Sequence, residues 1–182
     1  MAQSRRFPHQ ASPAHAAELE FAAALLPMWG LREKAVVSLA DEQGVNNQTF
    51  LVRHRQQRYV LRVTGFLTVA EVSAEHRILR RLRQSSLPFQ VPEPVPAADG
   101  RTVIDTPAGP ATLCRWLPGV RPGVGSEMAF ERLGRAVGLV DAALADVPLA
   151  VTVRDWRTDP RWVRPEDPPA ERVRSRGLRV AP

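Results

Sequence analysis

Two charged residues stand where the pattern of the chain points inward. Glu75 recurs with Val72, Leu79 and Leu82 at spacings of three, four and three, which puts a carboxylate on the apolar stripe of a helix. Arg62 lies in the segment Arg58-Tyr59-Val60-Leu61-Arg62-Val63. There strand alternation sends Tyr59, Leu61 and Val63 to one face and Val60, Arg62 and Thr64 to the other. A body-facing carboxylate needs a cation and an interior-strand arginine needs an anion, because an unpaired buried charge is costly. Arg62 and Glu75 are therefore the natural pair, and the chemistry they offer is electrostatic. The plainer alternative is that either charge simply reaches solvent at an element end, as long side chains do. Glu71 competes for Arg62, but Thr68 and Glu71 form a capping box that gives Glu71 a local partner. Other chemistries lack material. Cys114 is the single cysteine and the four histidines are scattered, so neither an internal disulfide nor a zinc site with ligand spacing is expected.

The elements that must hold this pair follow in order. Ser12-Pro13 reads as an N-cap and first helical residue, and Leu19, Ala22, Ala23 and Leu26 mark one face before Pro27 and Gly30 end the helix. Residues 35–40, 49–53 and 58–63 read as strands, the last two joined as an antiparallel hairpin through a polar turn at 54–57. The loop between the first two contains Gly44, Asn46 and Asn47, residue types that tolerate φ > 0. Thr68 then caps the clearest helix, which Ser85, Ser86 and Pro88 terminate. Pro92, Pro94 and Pro96 enforce an extended segment. Two more strands are expected over 102–106 and 111–117, giving five in all, followed by a glycine- and proline-rich linker from Pro118 to Gly125. Ser126 caps a last helix whose Phe130, Leu133, Val137, Val140 and Leu144 share a face. Residues 151–182 hold eight arginines and five prolines without apolar period, so most of that stretch is expected to be irregular.

Composition bounds the rest. The chain has 182 residues, about one domain, with 44% hydrophobic and 24% charged residues, ordinary for a globular protein. No stretch approaches a membrane span, and no apolar region follows the charged start of the chain. With one cysteine, a cytoplasmic location is expected. The net charge is +6, but the arginines are dispersed and no reading motif or stacking platform is visible, which argues against a nucleic-acid partner.

The order of these features resembles the N-terminal lobe of protein-kinase-like enzymes, and in particular the aminoglycoside phosphotransferase superfamily with its homoserine-kinase and choline-kinase-like members. The resemblance rests on Gly44-Val45-Asn46-Asn47-Gln48-Thr49-Phe50-Leu51-Val52, on the strand ending in Arg62-Val63, and on Glu75-His76-Arg77-Ile78-Leu79. It continues through Leu87-Pro88-Phe89-Gln90-Val91-Pro92-Glu93-Pro94 and through Cys114-Arg115-Trp116-Leu117-Pro118-Gly119, which is similar to the family's interlobe hinge. It covers roughly residues 20–147 and is carried by order and spacing rather than by one diagnostic motif. The fold it implies is α+β: a kinase-like small lobe with a five-stranded antiparallel sheet and a packed helix, then the hinge and first helix of a large lobe. The division that follows is 1–18 as a flexible tail, 19–117 as the nucleotide-binding small lobe, 118–150 as hinge linker and large-lobe helix, and 151–182 as an irregular tail.

By the same resemblance the partner is a nucleotide, ATP. The loop from Gly44 through Asn46 to Asn47 would fold over its phosphates with backbone N–H groups, or be a plain turn. Arg62 would stand where the family has lysine, braced by Glu75; its fork suits phosphate oxygens, but its geometry differs from lysine's. Val60 would roof the adenine, and the backbone near Arg115, Trp116 and Leu117 would read its edge, Trp116 being equally well an ordinary core aromatic. What the family uses for transfer is missing. The last histidine is His76 and the last asparagine is Asn47, so no His-Gly-Asp-type loop with its asparagine follows the hinge. No catalytic or magnesium-binding residue is assigned. The expectation is an ATP-binding lobe of a small-molecule kinase, truncated and inactive alone, with magnesium used only by a full-length relative. It would expose the face that meets a large lobe and so invite self-association or a companion chain. The alternative is a stand-alone protein-interaction module on the same fold.

Overall fold

The computed structural model describes residues 13–32, 35–40, 47–119 and 127–145. Helix α1 spans Pro13–Leu25 and tightens into a 3-10 turn over Leu26–Trp29, closed by Gly30 in the left-handed region at φ 72°. Its packing face is carried by Ala22 and Leu26, with Leu19 partly buried, whereas Ala23 is exposed rather than on that face. Strands β1 (Val36–Leu39), β2 (Asn47–His54) and β3 (Gln57–Thr64) are consecutive antiparallel neighbours, and β4 (Ala111–Arg115) joins the far side of β3. The β2–β3 turn is only two residues, Arg55-Gln56, with Arg55 at φ 55°, as a tight hairpin demands.

The sheet has four strands, not five. Residues 102–106 make a single bridge, in which Ile104 and Ala111 exchange hydrogen bonds of 2.9 and 2.7 Å. The reason is competition for one edge. The Leu113 carbonyl accepts from Val95 N–H at 2.7 Å, and Arg115 N–H donates to the Glu93 carbonyl at 3.1 Å. The proline-rich segment thus occupies the edge of β4 that a fifth strand would have needed.

Register sorts the side chains. Phe50, Leu61 and Leu113 lie side by side across the sheet, as do Gln48, Val63 and Ala111. The resulting apolar face packs Phe50, Val52, Leu61, Val63 and Leu113 against Ala22, Leu26, Trp29 and Leu31. Trp29 satisfies its indole N–H on the Val95 carbonyl at 3.1 Å, a partner that a buried tryptophan requires. The opposite face carries Val60, Arg62, Thr112 and Cys114.

Helix α2 (Val69–Gln84) starts at the expected capping box: the Glu71 amide donates to Thr68 Oγ1 at 3.3 Å, and Thr68 N–H donates to the Glu71 carboxylate at 2.7 Å. It buries Val72, Ala74, His76 and Leu82. Helix α3 (Glu127–Leu144) buries no residue, and Phe130, Leu133 and Val137 are 63%, 56% and 52% exposed. The residues expected to cap α1 and α3, Ser12 and Ser126, and the stretch 151–182 lie outside the described residues.

Candidate functional site

A cavity of about 640 Å³ opens between the second face of the sheet and α2. β3 contributes Val60 and Arg62, β4 contributes Thr112, Cys114 and Arg115, and α2 contributes Glu75, His76, Ile78 and Leu79; Pro92, Trp116 and Leu117 close one end. Val60 and Cys114 are direct cross-strand partners, as are Arg62 and Thr112. An apolar wall and a charged end are thus laid down by register alone.

Arg62 donates from Nη2 to Glu75 Oε2 at 2.6 Å, the pairing expected from strand alternation and helix period. The two side chains keep 34% and 42% of their surface, so they face the cavity instead of being sealed in the core. A pair this open contributes less than about 1 kcal/mol to stability. Its consequence is geometric: the guanidinium is held at the cavity wall with further N–H donors available.

The segment after β4 is fixed on both sides. Trp116 N–H donates to the Arg58 carbonyl at 3.1 Å, and the Arg58 guanidinium lies 3.6 Å over the Trp116 ring. Trp116 is therefore half-buried beneath an arginine rather than a member of the main core. On the other side the Glu93 carboxylate pairs with Arg83 and with Arg115 Nε, the latter at 3.4 Å. Because Trp116 turns its backbone toward β3, strand alternation turns the Arg115 carbonyl to the opposite edge, where Arg115 N–H already meets Glu93.

Of the nine sequence-predicted site residues, Val60, Arg62, Glu75, Arg115, Trp116 and Leu117 line this one cavity. Asn47 begins β2, opposite Thr64. Gly44 and Asn46 lie outside the described residues. The other six lining residues, His76, Ile78, Leu79, Pro92, Thr112 and Cys114, were not among the predicted site residues, and two of them carry ionisable groups. His76 is buried, with Nδ1 2.8 Å from Thr102 Oγ1. Burial lowers its pKa from the ordinary value, and Arg62 adds to the effect. The available signal was its spacing of four from buried Val72. Cys114 is half-buried, and burial pushes its thiol pKa up. Among the described residues, no group of three or more His, Cys, Asp or Glu side chains is placed to hold a metal ion. No described helix is long and apolar enough to cross a membrane.

The phosphotransferase enzyme family (APH) matches residues 39–182, further toward the C-terminus than the motifs alone carried the likeness. No curated protein matches the chain. Among solved structures, a microcompartment-associated aminopropanol kinase is similar at 25% identity and TM-score 0.56, over 68% of this chain and 39% of that one. An amicoumacin kinase solved with AMP-PNP, Ca2+ and Ami is similar in fold at 18% identity and TM-score 0.59, over 81% of this chain and 43% of that one. A spectinomycin phosphotransferase solved with ADP and its antibiotic gives 11% identity and TM-score 0.50, over 83% of this chain and 45% of that one. The chain spans less than half the length of each of these kinases. Its fold is that of a kinase-like small lobe, and the chain belongs to the phosphotransferase enzyme family.

Proposed function

We propose that the cavity between β3, β4 and α2 is the nucleotide-binding half of an ATP-dependent small-molecule phosphotransferase. The observation that carries this reading is the convergence of Arg62, held by Glu75 at 2.6 Å, and residues 115–117 on the walls of one cavity. A nucleotide has complementary parts: an apolar planar base with a hydrogen-bonding edge, and anionic phosphates. Val60 covers the base, the Arg115 carbonyl and Leu117 N–H meet its edge, and Arg62 holds phosphate oxygens through its fork. The loop containing Gly44, Asn46 and Asn47 supplies backbone N–H groups to the phosphates. Two of the similar kinases were solved with AMP-PNP and ADP, which supports this choice of ligand.

The acceptor is a hydroxyl of a small metabolite or antibiotic, in keeping with the three similar kinases, and the protein acts in the cytoplasm. The test is isothermal titration of the full chain with ATP at pH 7.5. A saturable heat with submillimolar Kd supports the reading, and no heat at millimolar ATP overturns it. The exposed stripe of Phe130, Leu133 and Val137 on α3 favours a second reading, a protein-interaction module, in which this face binds another copy or a companion chain. Sedimentation that stays monomeric alone and in lysate fractions counts against that reading.

A further inference from the structure

His76 is an unusual residue to bury at a cavity wall. It follows Glu75 directly on α2, it is 3% exposed, and its Nδ1 lies 2.8 Å from Thr102 Oγ1, twenty-six residues away in the chain. Side-chain polar ties from α2 to other parts of the fold include Glu75 with Arg62, His76 with Thr102, and Arg83 with Glu93. The first and last are ion pairs on half-exposed side chains. His76–Thr102 is the one between two neutral partners at a buried residue, where a hydrogen bond is both stronger and harder to replace with water.

We infer that His76 is a positioning residue: its contact with Thr102, two residues before the Ile104 bridge to β4, fixes the rotation of α2 so that Glu75 meets Arg62. Successive residues on a helix are about 100° apart, so pinning His76 by its ring fixes the direction of Glu75. Turning α2 by a fraction of that angle withdraws the carboxylate from a guanidinium that it meets at 2.6 Å. Arg62 then loses its brace at the cavity wall.

The groups facing His76 decide the sign of the pH response. Arg62 on β3 and Arg80 on α2 disfavour a positive ring, Glu75 on α2 favours one, and burial disfavours it most. Thr102 serves a neutral ring as donor or acceptor, and the Cys114 thiol on β4 lines the same cavity uncharged. A state in which α2 has turned and the ring is wet takes up a proton near the ordinary histidine value of about 6.5. Acid therefore favours the turned state, and the arrangement tightens as pH rises through that range.

This inference rests on the nucleotide reading only for its effect on ligand. The experiment is done on the full chain with wild type, Thr102→Val, His76→Ala and His76→Asn, the last placing an amide near the Nδ1 position. Hydrogen–deuterium exchange over residues 69–84 and over β2–β3 reports the helix without ligand, and ATP titration from pH 5.5 to 8 reports the site. Thr102→Val and His76→Ala are expected to speed exchange in α2 but not in β2–β3. They should weaken ATP binding at pH 7.5 by about three- to tenfold, the worth of one buried hydrogen bond. Wild-type affinity should fall with acid below about pH 6.5, while His76→Asn should retain α2 protection and give a flat profile. Exchange that rises equally in sheet and helix, or not at all, overturns the positioning role. Faster α2 exchange with unchanged ATP affinity and a flat wild-type profile overturns the link to Arg62. Faster α2 exchange in Thr102→Val and His76→Ala, with wild type and variants all ignoring ATP, supports the latch and overturns the nucleotide reading instead.

Discussion

Gly109 offers the sharpest perturbation of the scaffold behind Arg62. It sits at φ +109° in the turn that leads into β4, and a Cβ built there would stand 2.2 Å from the Thr64 carbonyl oxygen. Ordinary contact begins at 3.4 Å, so the end of β3, two residues beyond Arg62, would have to move. Three costs follow for Gly109→Ala. The backbone conformation costs an L-residue about 1–2 kcal/mol. The Thr64 N–H to Pro110 carbonyl bond, 3.0 Å long, sits at the same point, and losing it costs about 1 kcal/mol. The displaced strand adds to both, giving a total of about 3 kcal/mol or more. For a domain of this size that lowers Tm by about 10 °C. Gly100 is the control, since it has φ +83° but nothing within 4 Å of an added Cβ. Gly100→Ala should cost only the backbone part, about 1 kcal/mol. The assay is urea unfolding followed by circular dichroism, fitted for both variants with one slope. Equal losses for the two alanines would refute the argument that close approach to Thr64, rather than glycine's backbone freedom, fixes this turn.

Further outcomes follow from the core and the cavity. Phe50 is fully buried in the centre of β2, so Phe50→Ala should cost about 3–5 kcal/mol in the same unfolding assay, a loss the surface substitution Gln57→Ala should not show. Burial raises the Cys114 pKa, so its alkylation by iodoacetamide at pH 7.5 should be slow beside a free thiol and slower still with ATP in the cavity. His76 has a folded pKa below its ordinary value. The unfolded chain therefore takes up the proton first as pH falls below about 6.5. Its contribution to stability is complete above that value and declines beneath it, so Tm should fall more steeply between pH 7 and 5.5 in wild type than in His76→Asn.

The Arg62–Glu75 pair was legible in the sequence because both partners sit in strongly periodic elements, one of period two and one near 3.6. The capping box at Thr68 was legible for a similar reason: its partners are three residues apart. What escaped depends on contacts that no local pattern encodes. The expected fifth strand fails because residues 93–95 take the hydrogen bonds of Leu113 and Arg115, and a sequence does not show which of two extended segments wins an edge. His76 reads as a polar interruption of α2 until Thr102 is placed beside it. The stacking of Arg58 on Trp116 likewise joins residues 58 positions apart, through register between strands that are not neighbours in the chain.

Nucleotide binding by Arg62 and the backbone after β4 is the proposed role of the cavity. Thermal unfolding of the full chain with and without millimolar ATP, repeated for Arg62→Ala, tests it directly, because a ligand of the native state alone raises the midpoint by mass action. A rise in wild type that Arg62→Ala removes, with both proteins unfolding cooperatively, is the predicted result. A cooperative wild-type transition that ATP leaves unmoved, or an equal rise in both proteins, contradicts it.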